Sequence, residues 1–294
     1  MTNILVTGSD GQLGSEIQAI ASHWMGLNFT FTTINELDIT DEEAVNNILS
    51  TKPFQFLINC SAYTAVDKAE TDRANAFLVN AQATKILAKA CKNNQTRMIH
   101  VSTDYVFDGQ SCTPYKEDQT TNPKSVYGES KLLGENYLTE HQPDSIIIRT
   151  SWLYSVYGNN FVKTILKYGR EREELKVVFD QIGTPTHAAD LAQCILTIVN
   201  TAAKENRFYP GVYHFSNEGV TSWYDFAVQI AAHAKLSCKI RPVESSEYPT
   251  QAARPFYSVL NKSKIKSQYH VEIPHWTQSL NNCLNHLLIT TKTE

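Results

Sequence analysis

Asn3-Ile-Leu-Val-Thr-Gly8-Ser-Asp-Gly11-Gln-Leu-Gly14 decides how this chain folds. The run before Gly8 is apolar and suited to a strand. Leu13, Ile17, Ile20, Ala21 and Trp24 then recur at helical spacing, so the glycines join a strand to a helix. Glycines at such a junction permit a tight turn, let the backbone approach a pyrophosphate and let the helix pack on the strand. The free N–H groups of the helix attract the phosphates. The spacing is G-x-x-G-x-x-G, one residue away from the usual G-x-G-x-x-G. A glycine-rich turn without a ligand is the alternative.

Outward from this junction the strand and helix signals alternate. Residues 29–33 suit a second strand, and Thr40-Asp-Glu-Glu43 forms a capping box for a helix that stops before Pro53. Residues 54–59 read as strand, 74–93 as a long helix, 97–102 as strand, 126–140 as helix and 145–150 as strand. These strands are apolar throughout rather than alternating, so both faces need helices. The fold class is therefore α/β, a doubly wound parallel sheet of the Rossmann type.

Beyond Thr150 the rhythm loosens. Helical stretches at 160–172, 188–201, 222–234 and 277–288 are separated by short strand-like pieces at 176–180, 211–215 and 238–243, with prolines in the connections. The expected division is a dinucleotide-binding domain over 1–150, to which segments around 174–200 return, and a smaller α+β substrate-binding lobe over most of 151–294.

Composition narrows the class. The chain has 294 residues, about two domains, and 26 Lys+Arg against 30 Asp+Glu give a net charge of −4, which argues against nucleic acid as a partner. The apolar runs are far shorter than the roughly 20 residues of a membrane span, and no leader pattern precedes Asn3. Cys60, Cys91, Cys112, Cys194, Cys238 and Cys283 are scattered without metal spacing. The reading is a soluble cytoplasmic protein with reduced thiols and no metal. A homodimer is compatible with it.

Two further motifs carry chemistry. Tyr127-Gly-Glu-Ser-Lys131 sets a phenol and an ammonium on one helix face. A nearby ammonium lowers the cost of a phenolate, and the lysine has donors to spare for a ribose. Alone, this spacing also occurs on ordinary solvated helices. In Val101-Ser-Thr-Asp-Tyr-Val-Phe-Asp-Gly109 a strand ends in hydroxyls and a carboxylate. Ligands of open α/β sheets bind at such strand ends, so Ser102, Thr103 and Asp104 are expected to face the crevice. The bland alternative is a capped turn.

Asp38 follows the second strand, where it either contacts the adenine side or caps the next helix. Trp24, Trp223 and Trp276 read as core packing, and Arg254 either reaches a nucleotide diphosphate or is solvated.

Glycine turn, Ser/Thr after the fourth strand and Y-x-x-x-K in that order resemble the extended short-chain dehydrogenase/reductases. Asp38-Ile-Thr-Asp41, Asn59-Cys-Ser-Ala-Tyr-Thr-Ala-Val-Asp-Lys-Ala-Glu70, Ser102–Gly109, Tyr127–Glu135, Arg149-Thr-Ser-Trp-Leu-Tyr154, Asn160-Phe-Val162 and Asp180-Gln-Ile-Gly-Thr-Pro-Thr186 are more narrowly similar to the dTDP-4-dehydrorhamnose reductases. The likeness runs to about residue 190 and continues more faintly through Ala253-Arg-Pro255.

That resemblance implies reduction of dTDP-4-dehydro-L-rhamnose to dTDP-L-rhamnose with NADPH or NADH. It places Gly8 in the phosphate turn, Gly11, Gln12 and Leu13 at the pyrophosphate, Asp38 and Ile39 by the adenine, and Ala62, Tyr63 and Thr64 along the cofactor. Thr103 and Asp104 would meet the sugar, Tyr127 would donate the proton, Lys131 would assist it and anchor the ribose, and Trp152 would wall the sugar pocket. Cys60-Ser61 and Tyr63 depart from residues common in that family, and residues 33–35 lack a clear charge, so the choice of dinucleotide stays open. Two other readings share the scaffold: a nucleotide-sugar epimerase or dehydratase that recycles its nicotinamide, and a non-catalytic cofactor-binding regulatory subunit.

Overall fold

A computed structural model describes residues 1–290. Its first half alternates as β1 (Thr2–Thr7), α1 (Gln12–Ile20), β2 (Leu27–Thr32), α2 (Glu42–Thr51), β3 (Phe56–Asn59), α3 (Val66–Ala69), α4 (Arg73–Phe77), α5 (Ala83–Asn93), β4 (Arg97–Thr103), α6 (Val126–His141) and β5 (Ser145–Thr150). β6 (Leu153–Tyr154), α7 (Phe161–Glu171), β7 (Glu174–Val178), β8 (Ile182–Gly183), β9 (Thr186–His187), α8 (Ala188–Glu205) and β10 (Gly211–His214) follow. The chain continues as β11 (Thr221–Ser222), α9 (Trp223–His233), β12 (Lys239–Val243), α10 (Ser263–Tyr269) and α11 (Trp276–Thr290).

Six parallel strands form the main sheet in the order β10-β5-β4-β3-β1-β2. β3 and β5 are buried along their whole length and β1 and β4 over most of theirs, because α1 and α8 cover one face and α2, α5 and α6 the other. The chain moves from β1 outward to β2 and then back past β1 to β3. That reversal opens a crevice at the carboxyl ends of β1 and β3.

Three local expectations change. Thr40 does not cap α2: Asp38 takes its N–H and hydroxyl, and Asp41 becomes the cap, accepting from the Ala44 amide at 3.1 Å. The expected helix over 74–93 contains a π turn at Leu78–Gln82. Of the stretch 174–200, β7 stays outside the main sheet, paired with β12, while α8 returns to it. α8 runs over the sheet beside α1 and delivers β10 to the free edge at β5, so residues 211–214 join the main sheet instead of the lobe.

The lobe is built from the pairs β7–β12, β8–β11 and β6–β9, with α7, α9 and α11 over a core that includes Tyr154, Phe226 and Trp276. Among the described residues no helix is long and apolar enough to cross a membrane.

Helix α6 lies unusually close to its neighbours. A Cβ added to Gly134 would stand 2.2 Å from the Asn80 carbonyl oxygen of the π turn, and one added to Gly128 would stand 2.3 Å from the Tyr105 carbonyl oxygen. Both obstacles are backbone atoms that no side-chain rotation removes. Gly134→Ala is therefore expected to lower stability by about 1–3 kcal/mol, read as a lower midpoint in urea unfolding. An unchanged midpoint contradicts this packing.

Candidate active site

Two cavities meet at the carboxyl edge of the sheet. The larger, about 590 Å³, is lined by Gln12, Leu13, Thr64, Thr103, Asp104, Tyr127, Lys131, Trp152 and Trp223, among others. The smaller, about 210 Å³, is lined by Gly8, Asp10, Ile34, Leu37, Asp38 and Ile39, among others. Gly11, Cys60 and Ala62 line both, so the two join at the glycine turn.

The glycines of that turn do different work. Gly8 has φ +66°, and a Cβ there would stand 2.8 Å from the Ser61 amide, so it needs glycine on both counts. A Cβ on Gly14 would stand 2.3 Å from the Gly8 carbonyl oxygen, which fixes how closely α1 packs on the turn. Gly11 is open by comparison: its nearest obstacle is Gly8 O at 3.3 Å. Gly11 precedes the first turn of α1, and no side chain caps that helix. Amide donors without a side-chain cap at the junction of two cavities fit a dinucleotide whose pyrophosphate sits there.

The proton-bearing groups lie in the larger cavity. Thr103 Oγ1 donates to Asp104 Oδ1 at 3.0 Å and accepts from the Tyr105 amide at 3.2 Å, on the same cavity wall as Tyr127. Burial pushes the Tyr127 hydroxyl well above its ordinary value, and the Thr103 side chain draws it part of the way back. Lys131 is 2% exposed, with Nζ donating to Val101 O at 2.7 Å and lying 3.2 Å from His100 Nε2. Burial brings its pKa down to about 8, against the pull of Glu135.

Asp104 is buried too, one of its carboxylate oxygens has no hydrogen-bond partner, and burial raises its pKa to about 7. Behind this group Glu135 accepts from Ser102 Oγ at 2.5 Å and from Arg149 Nη2 at 2.6 Å. That ion pair pins α6 to β4 and β5.

Of the residues expected along the cofactor, Tyr63 differs. Asn80, in the π turn, holds both its amide and its carbonyl, and its hydroxyl donates to Asp72 at 3.0 Å. Its ring packs beside Ala69, Ala76 and Val126 and lines neither cavity, whereas Ala62 and Thr64 do. Asp38 lines the smaller cavity and closes the Thr40 turn, and the cap of the next helix is Asp41 instead of Asp38. Arg254 lies outside both cavities, paired with Asp67 at 2.5 Å and bonded to the Tyr105 hydroxyl at 3.3 Å.

The family model described as "RmlD substrate binding domain" matches residues 1–289. The chain belongs to that family. The dTDP-4-dehydrorhamnose reductase of Aggregatibacter actinomycetemcomitans is 38% identical over 288 residues, covering 96% of this chain and 98% of that protein. The crystal structure of dTDP-4-dehydrorhamnose reductase from Bacillus anthracis in complex with NADP superposes with a TM-score of 0.92 at 36% identity, over 97% of this chain and 100% of that one. A UDP-glucose 4-epimerase from Brucella ovis, in complex with NAD, has a TM-score of 0.82 at 17% identity, covering 98% of each chain, and shares the fold alone.

In this member of the RmlD substrate binding domain family Trp223 packs against the lobe core as expected, beside Phe161 and Phe226, but the sequence gave no sign of its second place: it stacks on Trp152 with ring centroids 3.7 Å apart and 11° between planes, and both line the larger cavity. Trp152 has φ +49°, a costly conformation for a bulky residue. A Cβ on Gly183 would stand 2.6 Å from its indole, so that glycine makes room for the ring. Apolar neighbours around Trp223 in sequence gave no sign of a pocket wall.

Asp104 yields a pH prediction. Its folded value of about 7 lies above the ordinary 3.8, so its contribution to stability is fully present below about pH 4 and is lost as pH rises through 7. Asp104→Asn escapes that loss. Its stability relative to the parent should therefore climb between about pH 4 and 7, by up to about 1.4 kcal/mol per pH unit, in urea titrations at stepped pH. A difference that stays constant over that window contradicts a buried, weakly satisfied carboxylate.

Proposed function

We propose that the chain reduces dTDP-4-dehydro-L-rhamnose to dTDP-L-rhamnose, with the glycine turn holding a reduced nicotinamide dinucleotide and Tyr127 supplying the proton. The observation that carries this reading is the pair of hydroxyls, Thr103 and Tyr127, on the wall of a crevice continuous with the glycine turn. The bound dinucleotide would supply a hydride to the sugar's C4 carbonyl carbon. Thr103 and Tyr127 hold the carbonyl oxygen, and the Tyr127 O–H bond breaks as that oxygen takes the proton. To Lys131, one helical turn from Tyr127 and lining the same cavity, we assign assistance to that step and a hold on the ribose. Trp152 and Trp223 form an apolar wall against which a deoxysugar can rest.

The smaller cavity supports NADH at least as strongly as NADPH. Asp10 and Asp38 line it and no Lys or Arg is among its lining residues, so a 2′-phosphate would meet carboxylates there. The six cysteines are unpaired, as a reducing compartment keeps them, and the cytoplasm is where we place the reaction.

Following dinucleotide oxidation at 340 nm with dTDP-4-dehydro-L-rhamnose tests both points. Positioned acid catalysis is commonly worth about 10²–10⁴-fold. Tyr127→Phe should lose that much turnover while its dinucleotide affinity, measured by calorimetry, stays near the parent's. A Phe variant with undiminished turnover contradicts the assigned proton donor. NADH should show a kcat/KM no lower than that of NADPH, and a strong preference for NADPH contradicts the reading of the smaller cavity.

A further inference from the structure

Arg254 sits in the segment between β12 and α10, and that segment is held on both sides of it. Tyr257 N–H donates to Gly109 O at 2.9 Å, Ile182 N–H to Phe256 O at 2.8 Å and Ala252 N–H to Asp67 Oδ1 at 3.1 Å. From this fixed base the guanidinium forks: Nη2 donates to Asp67 Oδ2 at 2.5 Å and Nη1 to the Tyr105 hydroxyl at 3.3 Å. The Tyr105 ring in turn stands edge-on to the Tyr127 ring, with centroids 5.4 Å apart and 76° between planes, and both residues line the larger cavity. A cation, a hydroxyl and two rings thus form an unbroken series of contacts that ends at the tyrosine assigned the proton.

The backbone of Tyr127 is set by other means. Ser125 caps α6 through the Gly128 amide at 3.1 Å, Glu70 takes the Val126 amide at 2.9 Å, and Gly128 seats the helix on the Tyr105 carbonyl. What these contacts leave free is rotation of the side chain about its own bonds. The Tyr127 ring packs on the small apolar cluster of Ala69, Ala76 and Val126, and Tyr105 is its aromatic partner. An edge-to-face pair is directional, so a Tyr105 ring held by its hydroxyl limits where the phenol can point.

We propose that Arg254 is a positioning residue: by holding the Tyr105 hydroxyl it fixes the ring that orients Tyr127. Its effect on turnover rests on the proposed reduction; the placement of the two rings does not. The Tyr105 hydroxyl keeps its proton, burial pushing it up to about 12, so Tyr105→Phe removes a hydrogen-bonding group and no charge. Arg254 also borders a separate cavity of about 130 Å³ with Lys124 and Phe256. A substrate that drew on the guanidinium there would compete with Asp67, and its loss would show in KM.

The test is a double-mutant cycle of Arg254→Met and Tyr105→Phe, read in two ways. In the free protein the Tyr127 ring resonances of ¹³C-tyrosine-labelled samples are assigned by their loss in Tyr127→Phe. Either single substitution should shift them, and the double variant should match Tyr105→Phe. In the dinucleotide oxidation assay each single substitution should lower kcat by about 10- to 100-fold, the scale of a misplaced catalytic group, with KM near the parent's and the double variant no slower than Tyr105→Phe. Should Arg254→Met not fold, Tyr105→Phe alone decides, since it deletes the same hydrogen bond by removing one oxygen.

Tyr127 resonances that the substitutions leave in place overturn the proposal, as do effects of the two that simply add. A rise in KM with kcat kept assigns Arg254 to a ligand and overturns it as well. Moved resonances with an unchanged kcat overturn the part given to Arg254 in turnover. Because the rings are read without substrate, failure of the proposed reduction is a separate result.

Discussion

The structure depends on how closely α6 sits against the sheet and the turns beside it. Gly128 and Gly134 let the helix approach the Tyr105 and Asn80 carbonyls to distances that a single methyl group would prevent, and the Glu135–Arg149–Ser102 cluster fixes it from behind. This seating buries Lys131 and sets Tyr127 on the same cavity wall as Thr103. Desolvation is the largest cause of each shifted proton affinity in the crevice.

The consequences share a sign. Burial raises Tyr127, raises Asp104 to about 7 and lowers Lys131 to about 8, so each group is biased toward its uncharged form. The full charges close by are paired with each other, as Glu135 is with Arg149. A crevice of this kind keeps its tyrosine protonated and carries little unpaired fixed charge. The lost stability is a cost often seen where a site is arranged for chemistry instead of packing.

Much of this was legible in the sequence because backbone geometry dictated it. The glycine turn could be placed from Gly8 and Gly14 alone, since both positions exclude a side chain, and the apolar β1, β3 and β5 required helices on both faces. Thr103 and Asp104 followed from the rule that parallel strands end at the crevice. The rest depended on contacts between distant segments. Nothing local to residues 211–214 revealed that α8 would deliver them to the main sheet. Tyr63 left the cavity because Asn80, 17 residues away, clamps its backbone, and Trp223 became a wall only because Trp152 takes a left-handed backbone that brings its ring alongside. The sequence also suggested a lysine easing phenolate formation. In the structure burial dominates, and the group drawing Tyr127 down is Thr103.

The central claim is that hydride arrives at C4 of the sugar while Tyr127 protonates its oxygen. The most direct measurement uses dinucleotide deuterated at nicotinamide C4 with dTDP-4-dehydro-L-rhamnose, followed by NMR of the sugar product. The account predicts one equivalent of oxidised dinucleotide per sugar, with deuterium carried to C4. Product formed without net oxidation of the dinucleotide, or without label at C4, would contradict it.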